Sequence, residues 1–205
     1  MLFICSPNNP TGNVLTLEKI EFLIQNFDGI VVVDAAYSDF SAQNTLKWVG
    51  KYPNLVVMQT FSKAWGLAAI RLGMAFASTE IIGLMNKVKP PYNVNELTQQ
   101  AALDALKNVE KMRKQVAELL QEREKLAAIL RGLPVVEKVY PSDANFLFVK
   151  MTDGNAVYRY LLSRGIVTRN RSNVVLCENG VRITIGTPAE NEVLIAALSD
   201  LENAI

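Results

Sequence analysis

Lys63 is the first side chain of this sequence with the makings of a nucleophile. It follows Thr60-Phe61-Ser62 and precedes Ala64-Trp65-Gly66-Leu67. Only a deprotonated amine attacks a carbonyl, and desolvation or a nearby cation moves a lysine toward that form. A solvated surface lysine is the alternative, and the flanking Phe61 and Trp65 argue against it. Asp34 is the candidate acid. It ends the β-branched run Ile30-Val31-Val32-Val33, where a carboxylate is a helix cap, a turn former or a site acid. Tyr37 lies close enough in sequence to reach the same pocket. Asn9 brings neutral donor and acceptor groups, with turn formation beside Pro10 and Gly12 as its other reading. Arg71 and Arg182 stand among apolar neighbours, Ile70-Arg71-Leu72-Gly73 and Val181-Arg182-Ile183. A guanidinium cannot neutralise itself by losing its proton, so such positions favour pairing with an anion, and its fork matches carboxylate or phosphate. Arg169 and Arg171 flank Asn170 and add positive charge. Arg171 reads as solvated.

The chain has 205 residues and no histidine. That removes Ser-His-Asp and Cys-His nucleophile pairs, His-ligated zinc and any imidazole base. The proton carrier of an enzyme with this composition is Lys, Asp, Glu, Tyr or a group on a cofactor. An amine, an acid, an amide, a phenol and anion-binding arginines together fit carbonyl chemistry on an electron-sink cofactor. Pyridoxal phosphate needs a Schiff-base lysine and an acid facing its ring nitrogen. The acid keeps the ring protonated, and the freed lysine serves as proton shuttle.

The elements that must position these groups read as follows. Residues 2–5 are a short apolar run, followed by the turn-rich Ser6-Pro7-Asn8-Asn9-Pro10-Thr11-Gly12. Thr16 caps a helix with the apolar stripe Leu17, Ile20, Leu23, Ile24 and Phe27, and Gly29 ends it. Residues 30–33 and 55–58 are β-branched-rich runs of the kind buried on both faces of a sheet. Residues 72–77 are a softer strand candidate, with a helix over about 79–87. This alternation argues for a mainly parallel sheet covered by helices, whose ligand site lies beyond the carboxyl ends of the strands. Asn9, Asp34 and Lys63 each follow a strand. After Pro90-Pro91-Tyr92-Asn93 come helices over about 95–108 and 109–131, the second a long amphipathic link. A smaller α/β unit follows, with strands at 135–139, 146–150, 166–168 and 181–185. A helix over about 154–164 is capped by Asp153 and stopped by Gly165. The last helix opens with the capping box Thr187-Pro188-Ala189-Glu190 and has Leu194, Leu198, Leu201 and Ile205 on its apolar face.

Half of the residues are hydrophobic and the net charge is +1. This excludes a disordered chain and gives no basic footprint for nucleic acid. Cys5 and Cys177 are too few for a disulfide scaffold or a four-thiolate metal site, suit a reducing cytosol, and read as small buried hydrophobes. No metal site is expected. No run approaches the roughly 18 apolar residues of a membrane span. The chain opens in mid-strand without a signal peptide, which leads to the expectation that an upstream part has been removed.

Six segments, in order, carry a resemblance: Ser6-Pro7-Asn8-Asn9-Pro10-Thr11-Gly12, Val33-Asp34-Ala35-Ala36-Tyr37, Thr60-Phe61-Ser62-Lys63-Ala64-Trp65-Gly66-Leu67, Arg71-Leu72-Gly73, Ser142-Asp143-Ala144-Asn145-Phe146 and Val181-Arg182-Ile183-Thr184-Ile185-Gly186-Thr187. The sequence resembles the class I and II pyridoxal-phosphate aminotransferases of fold type I, most of all their histidinol-phosphate branch, over the C-terminal portion only. The resemblance implies an incomplete large cofactor-binding domain over 1–108, and a linking helix with a smaller C-terminal α/β domain over 109–205. It implies that Lys63 bonds the cofactor and shuttles the proton, and that Asp34 pairs with the pyridinium nitrogen. Asn9 and Tyr37 would then bond the phenolic oxygen. Ser62 and Arg71 would hold the phosphate with Thr60 assisting, Arg182 would bind the substrate anion and Arg169 the substrate phosphate. It further implies a cytoplasmic homodimer acting on an amino-acid or amino-phosphate substrate with 2-oxoglutarate, in histidine biosynthesis. Another aminotransferase, a phosphothreonine decarboxylase of the same fold, and a non-catalytic fragment remain open at this point.

Overall fold

A computed structural model describes residues 1–202, with no side-chain description at 202. Two compact units emerge: Met1–Pro7 with Val14–Val116, and Asn8–Asn13 with Ala117 onward.

The first unit is built on β1 (Leu2–Cys5), β2 (Val31–Asp34), β3 (Leu55–Thr60) and β4 (Gly73–Ala77), in that spatial order. β1, β2 and β3 are parallel, and β4 is antiparallel to β3. The continuous apolar runs arise because both faces of the central strands are covered. Val31, Val33, Leu55 and Val57 pack with Ile20 and Ile24 of α1 (Leu17–Asn26). On the other face Val32 and Val56 meet Ile81 of α2 (Thr79–Val88). Each fully buried Val or Ile contributes on the order of 1.5–3 kcal/mol relative to exposure. The sign of β4 follows from its connection. Residues 61–72 contain a single 3-10 turn, Ala68–Ile70, where a parallel return needs a crossover element. They fold back instead as a closed loop, with Phe61 N donating to Leu72 O and Leu67 N to Phe61 O.

Helix α1 begins after Thr16, but the Thr16 side chain makes no capping bond. Asn95 does cap α3 (Glu96–Lys107), its side chain accepting from Thr98 N. α4 (Val109–Leu130) runs across the division between the units.

The second unit holds an antiparallel sheet of β5 (Val136–Val139), β6 (Phe146–Met151), β7 (Arg169–Asn170) and β8 (Gly180–Thr184), in the order β5-β6-β8-β7. Leu147, Val149, Met151, Val181 and Ile183 face one side, where they pack with Leu126 and Leu130 of α4, Val157 and Leu161 of α5 (Gly154–Ser163), and Leu194 and Leu198 of α6 (Pro188–Glu202). Asp153 caps α5 through two backbone amides. The strand expected at 166–168 is displaced: Arg169 and Asn170 form the ladder with β8, and Arg171 N donates to Gly180 O at 2.8 Å. Leu201 is half-buried beside the α6 face, and Ile205 lies outside the described residues.

Candidate active site

In the first unit Asp34, Thr60, Ser62, Lys63 and Arg71 line one cavity of about 620 Å³, together with Ala36, Gln59 and Met74. Its walls are the carboxyl ends of β2 and β3 and the closed loop after β3. Asp34 is half-buried, and its Oδ1 accepts from Ala36 N at 3.0 Å. That short turn fixes the carboxylate at the end of the strand. Lys63 is half-buried, with Nζ 5.0 Å from the centroid of the buried Tyr37 ring. Gly66, at φ +68, closes the Lys63 turn by donating to Lys63 O at 3.0 Å, a backbone region that favours glycine. Phe61 is buried and its ring lies 5.5 Å from that of Trp65, so the residues around Lys63 hold the loop shut.

Thr60 ties this loop at both ends. Its hydroxyl donates to Leu72 O at 3.2 Å and accepts from Ser62 N at 3.0 Å. Arg71 differs from its sequence reading. It is exposed, not enclosed by its apolar neighbours, and takes the left-handed backbone at φ 54 with Nη1 donating to Ala68 O at 2.7 Å. The cost of that backbone for a non-glycine residue, about 1–2 kcal/mol, is the kind of local strain that tends to sit at functional positions.

The second unit carries Asn9, Arg169 and Arg182. Along β8 the alternation sends Val181 and Ile183 into the core and Arg182 to the opposite face. Arg182 Nη1 donates to Asn9 Oδ1 at 2.9 Å, and the guanidinium lies 5.0 Å over the Phe146 ring. Arg169 is directly opposite Arg182 across β7 and β8. It is exposed, with Nη1 donating to Thr168 O at 3.2 Å. Like charges facing each other across a ladder repel, and a bound dianion removes that repulsion. Arg171 is half-buried rather than solvated.

Of the two cysteines, Cys177 is buried as expected and Cys5 is exposed. Cys5 sits on the edge strand and pairs with Asp34 across β1 and β2. Partial desolvation and, second, the Asp34 charge push its thiol pKa up. Gln59 and Phe146 do not stand out as site residues in the sequence. Gln59 lines the cavity and donates to Ser38 Oγ at 3.0 Å. The alternation of β6 was the available signal for Phe146, since it puts Phe146 and Phe148 away from the helices.

A mainly parallel sheet with a lysine-bearing loop at its carboxyl edge, followed by a smaller α/β unit, defines the class of fold type I pyridoxal-phosphate-dependent transferases. The chain belongs to the aminotransferase class I and II family, whose model matches residues 1–198. Histidinol-phosphate aminotransferases are among its relatives. That of Parabacteroides distasonis is 54% identical over 203 residues, spanning 98% of this chain and 59% of the relative. That of Cytophaga hutchinsonii is 52% identical over 199 residues, spanning 97% and 57%. The chain thus spans less than three-fifths of the length of these curated relatives. The crystal structure of the histidinol-phosphate aminotransferase from Clostridium acetobutylicum superposes with a TM-score of 0.93 over 99% of this chain and 64% of that one, at 23% identity. The L-threonine-O-3-phosphate decarboxylase from Porphyromonas gingivalis gives 0.87 at 26% identity, over 98% and 64%. The Sinorhizobium meliloti histidinol-phosphate aminotransferase in complex with pyridoxal-5'-phosphate gives 0.88 at 23%, over 98% and 57%. Among the described residues no helix is long and apolar enough to cross a membrane, and no cluster of metal-ligating side chains occurs.

Proposed function

We propose that this chain is the C-terminal portion of a cytoplasmic, homodimeric aminotransferase that uses pyridoxal phosphate to transaminate histidinol phosphate with 2-oxoglutarate. In this reading residues 1–108 belong to its large cofactor-binding domain, and 109–205 form the linking helix and small domain. The observation that carries the proposal is the cavity of the first unit, where one ammonium, one carboxylate, two hydroxyl residues and one guanidinium meet. That donor set suits a phosphorylated pyridine aldehyde: cationic and hydroxyl groups for the phosphate, a carboxylate for the ring nitrogen, an amine for the aldehyde. The identity to histidinol-phosphate aminotransferases supports the substrate assignment over the decarboxylase alternative.

When bound, the cofactor supplies an aldehyde reactive toward amines and a protonated ring that withdraws electrons. The rest falls to the protein. The Asp34 carboxylate, oriented by the Ala36 amide, holds the proton on the ring nitrogen. Arg71 and Ser62 bind phosphate oxygens, and Thr60 keeps their loop closed. Tyr37 and Asn9 bond the phenolic oxygen; Asn9 Oδ1 is engaged by Arg182, so its amide nitrogen is the donor. Lys63 Nζ would be the amine that holds the cofactor's aldehyde, and it is the group placed to take and return a substrate proton. Arg182 binds the substrate carboxylate or phosphate, and Arg169 the phosphate of histidinol phosphate.

The test is borohydride reduction of the purified chain with pyridoxal phosphate, followed by peptide mass spectrometry and assay with histidinol phosphate and 2-oxoglutarate. The expected result is a pyridoxyl group on Lys63. Labelling elsewhere, or none, overturns the cofactor assignment. Carbon dioxide release from phosphothreonine without transamination moves the assignment to the decarboxylases.

A further inference from the structure

Arg71 is held in a conformation that its own residue type disfavours. Its backbone lies in the left-handed region at φ 54, which a residue with a Cβ adopts only where its surroundings impose it. That angle is the rotation of Arg71 about the peptide plane that carries Ile70 C=O and Arg71 N–H. Both polar atoms of the plane are engaged. Arg71 N donates to Ala68 O at 3.4 Å, and Ile70 O accepts from Thr98 Oγ1 at 3.3 Å. The first bond closes the 3-10 turn Ala68–Ile70. The second comes from α3, 28 residues along the chain. Thr98 is itself fixed: its amide donates to the Asn95 cap at 2.9 Å, and with Ala102 it makes up the face that α3 buries. It is 8% exposed, and a buried hydroxyl without a partner is costly, so the bond to Ile70 O accounts for a polar residue there. Beyond Arg71, Thr60 Oγ1 donates to Leu72 O at 3.2 Å. The carbonyls before and after Arg71 are thus each held by a threonine hydroxyl. Thr60 lines the cavity with Arg71, whereas Thr98 reaches Arg71 from outside that lining.

We propose that Thr98 is a positioning residue for Arg71: its hydroxyl holds the Ile70 peptide plane, so that Arg71 keeps the left-handed backbone that brings its side chain to the cavity. The direction of a Cα–Cβ bond relative to the chain is set by φ and ψ, so a return to the right-handed or extended region would carry the guanidinium elsewhere. Arg71 Nη1 donates to Ala68 O at 2.7 Å, which ties the side chain to the same turn. Turn, peptide plane and guanidinium therefore move as one group, and Thr98 fastens that group to α3. Holding it in place before a phosphate arrives lowers the ordering cost of binding. The inference rests on Arg71 being the phosphate arginine of the cavity, as proposed above.

The experiment titrates the chain with pyridoxal phosphate and, separately, with pyridoxal, which lacks the phosphate. Borohydride traps the bound aldehyde, and peptide mass spectrometry gives the concentration at half-labelling of Lys63. Thr98→Val keeps the shape and removes the hydroxyl. It is expected to raise the half-labelling concentration of pyridoxal phosphate about 3- to 10-fold, the worth of one neutral hydrogen bond, and to leave that of pyridoxal unchanged. Thr98→Ser keeps the hydroxyl and is expected to restore wild-type labelling. In an Arg71→Ala background, Thr98→Val should add nothing further. Should Thr98→Val not fold, Thr98→Ala takes its place with the same expected outcome. Equal weakening of both aldehydes by the hydroxyl-free variant means that Thr98 merely ties α3 to its unit, and this overturns the inference. A phosphate-selective loss that persists in full without Arg71 overturns it as well. If Arg71→Ala selectively weakens pyridoxal phosphate and Thr98→Val does not, the reading of Arg71 stands and Thr98 has no positioning role. If Arg71→Ala labels like the wild type, or the wild type is not labelled at Lys63, the reading of the cavity fails and takes the inference with it.

Discussion

Gly12→Ala is a sharp test of how the loop bearing Asn9 is held. Gly12 has φ +81, and a Cβ placed there lies 2.5 Å from Ser142 Oγ and 3.0 Å from Ser142 Cβ. Its carbonyl accepts from Asp143 N at 2.7 Å, and its amide donates to Asn8 O at 2.8 Å. The loop is thus clamped to the 142–146 segment. Two costs follow. The left-handed backbone costs an alanine about 1–2 kcal/mol. The Ser142 hydroxyl, which donates to Phe146 O at 2.6 Å and accepts from Ala144 N at 3.1 Å, must move away. Losing those two bonds costs about 1–2 kcal/mol more. The total expected is about 2–4 kcal/mol on the second unit. Native-state hydrogen exchange of the buried Val149, Val181 and Ile183 amides reads that unit directly. Ser142→Gly removes the obstacle along with the same two bonds, so the double variant should be about 1–2 kcal/mol better than the sum of the singles. Additivity within about 0.5 kcal/mol, or a Gly12→Ala effect below that size, refutes the clamp.

Two further outcomes are expected. Because the Asp34 charge raises the Cys5 pKa, Asp34→Asn should lower it and speed iodoacetamide alkylation of Cys5 at mildly alkaline pH, while buried Cys177 stays unreactive; an unchanged Cys5 rate means the two groups do not sense each other. Glu190 Oε2 accepts from Thr187 N at 2.7 Å and from Thr187 Oγ1 at 2.8 Å, the backbone bond first holding its carboxyl below the ordinary value of 4.5. A depressed carboxyl stabilises the fold above the unfolded value and loses that effect as pH falls through the folded one. The stability gap between wild type and Glu190→Gln should therefore be constant above about pH 5 and shrink on acidification, and a gap independent of pH by urea titration counts against the cap.

What the sequence discloses and what it withholds divide along local and non-local lines. Val31-Val32-Val33 reads as a strand covered on both faces because burial acts residue by residue. Thr187 and Glu190 read as a capping box because the box lies within one turn. The antiparallel sense of β4 is not legible in its own residues; it follows from a connection too poor in structure to cross over. Ile166-Val167 looks like a strand by apolarity, but pairing is decided by the partner, and the ladder with β8 begins only at Arg169. Cys5 reads as buried by composition and is exposed because it shares a face of β1 with the exposed Phe3, opposite the buried Ile4. Lys63, Asp34 and Arg71 are recognisable by type and position. That Thr60 ties their loop, and that Phe146 underlies Arg182, depends on contacts between distant segments.

Those contacts also separate the candidate chemistry into two sets. Lys63, Asp34, Thr60, Ser62 and Arg71 share the cavity of the first unit, whereas Asn9, Arg169, Arg182 and Phe146 belong to the second. Asn9 is the informative case. Its loop lies in the chain between β1 and α1, both elements of the first unit, yet residues 8–13 cluster with the second. Hydrogen bonds from Arg182 to Asn9 and from Asp143 to Gly12 account for that allegiance. A substitution that loosens the loop should then act first on Asn9 and Arg182, and leave Asp34, Lys63, Ser62 and Arg71 in place around the first unit's cavity. Gly12→Ala should weaken phosphate binding at Arg182 by the same cause that destabilises the second unit, while borohydride labelling of Lys63 by pyridoxal phosphate persists. Loss of Lys63 labelling in Gly12→Ala would instead mean that the first unit's cavity is not self-sufficient in anchoring the aldehyde, and the division by units would not describe the chemistry.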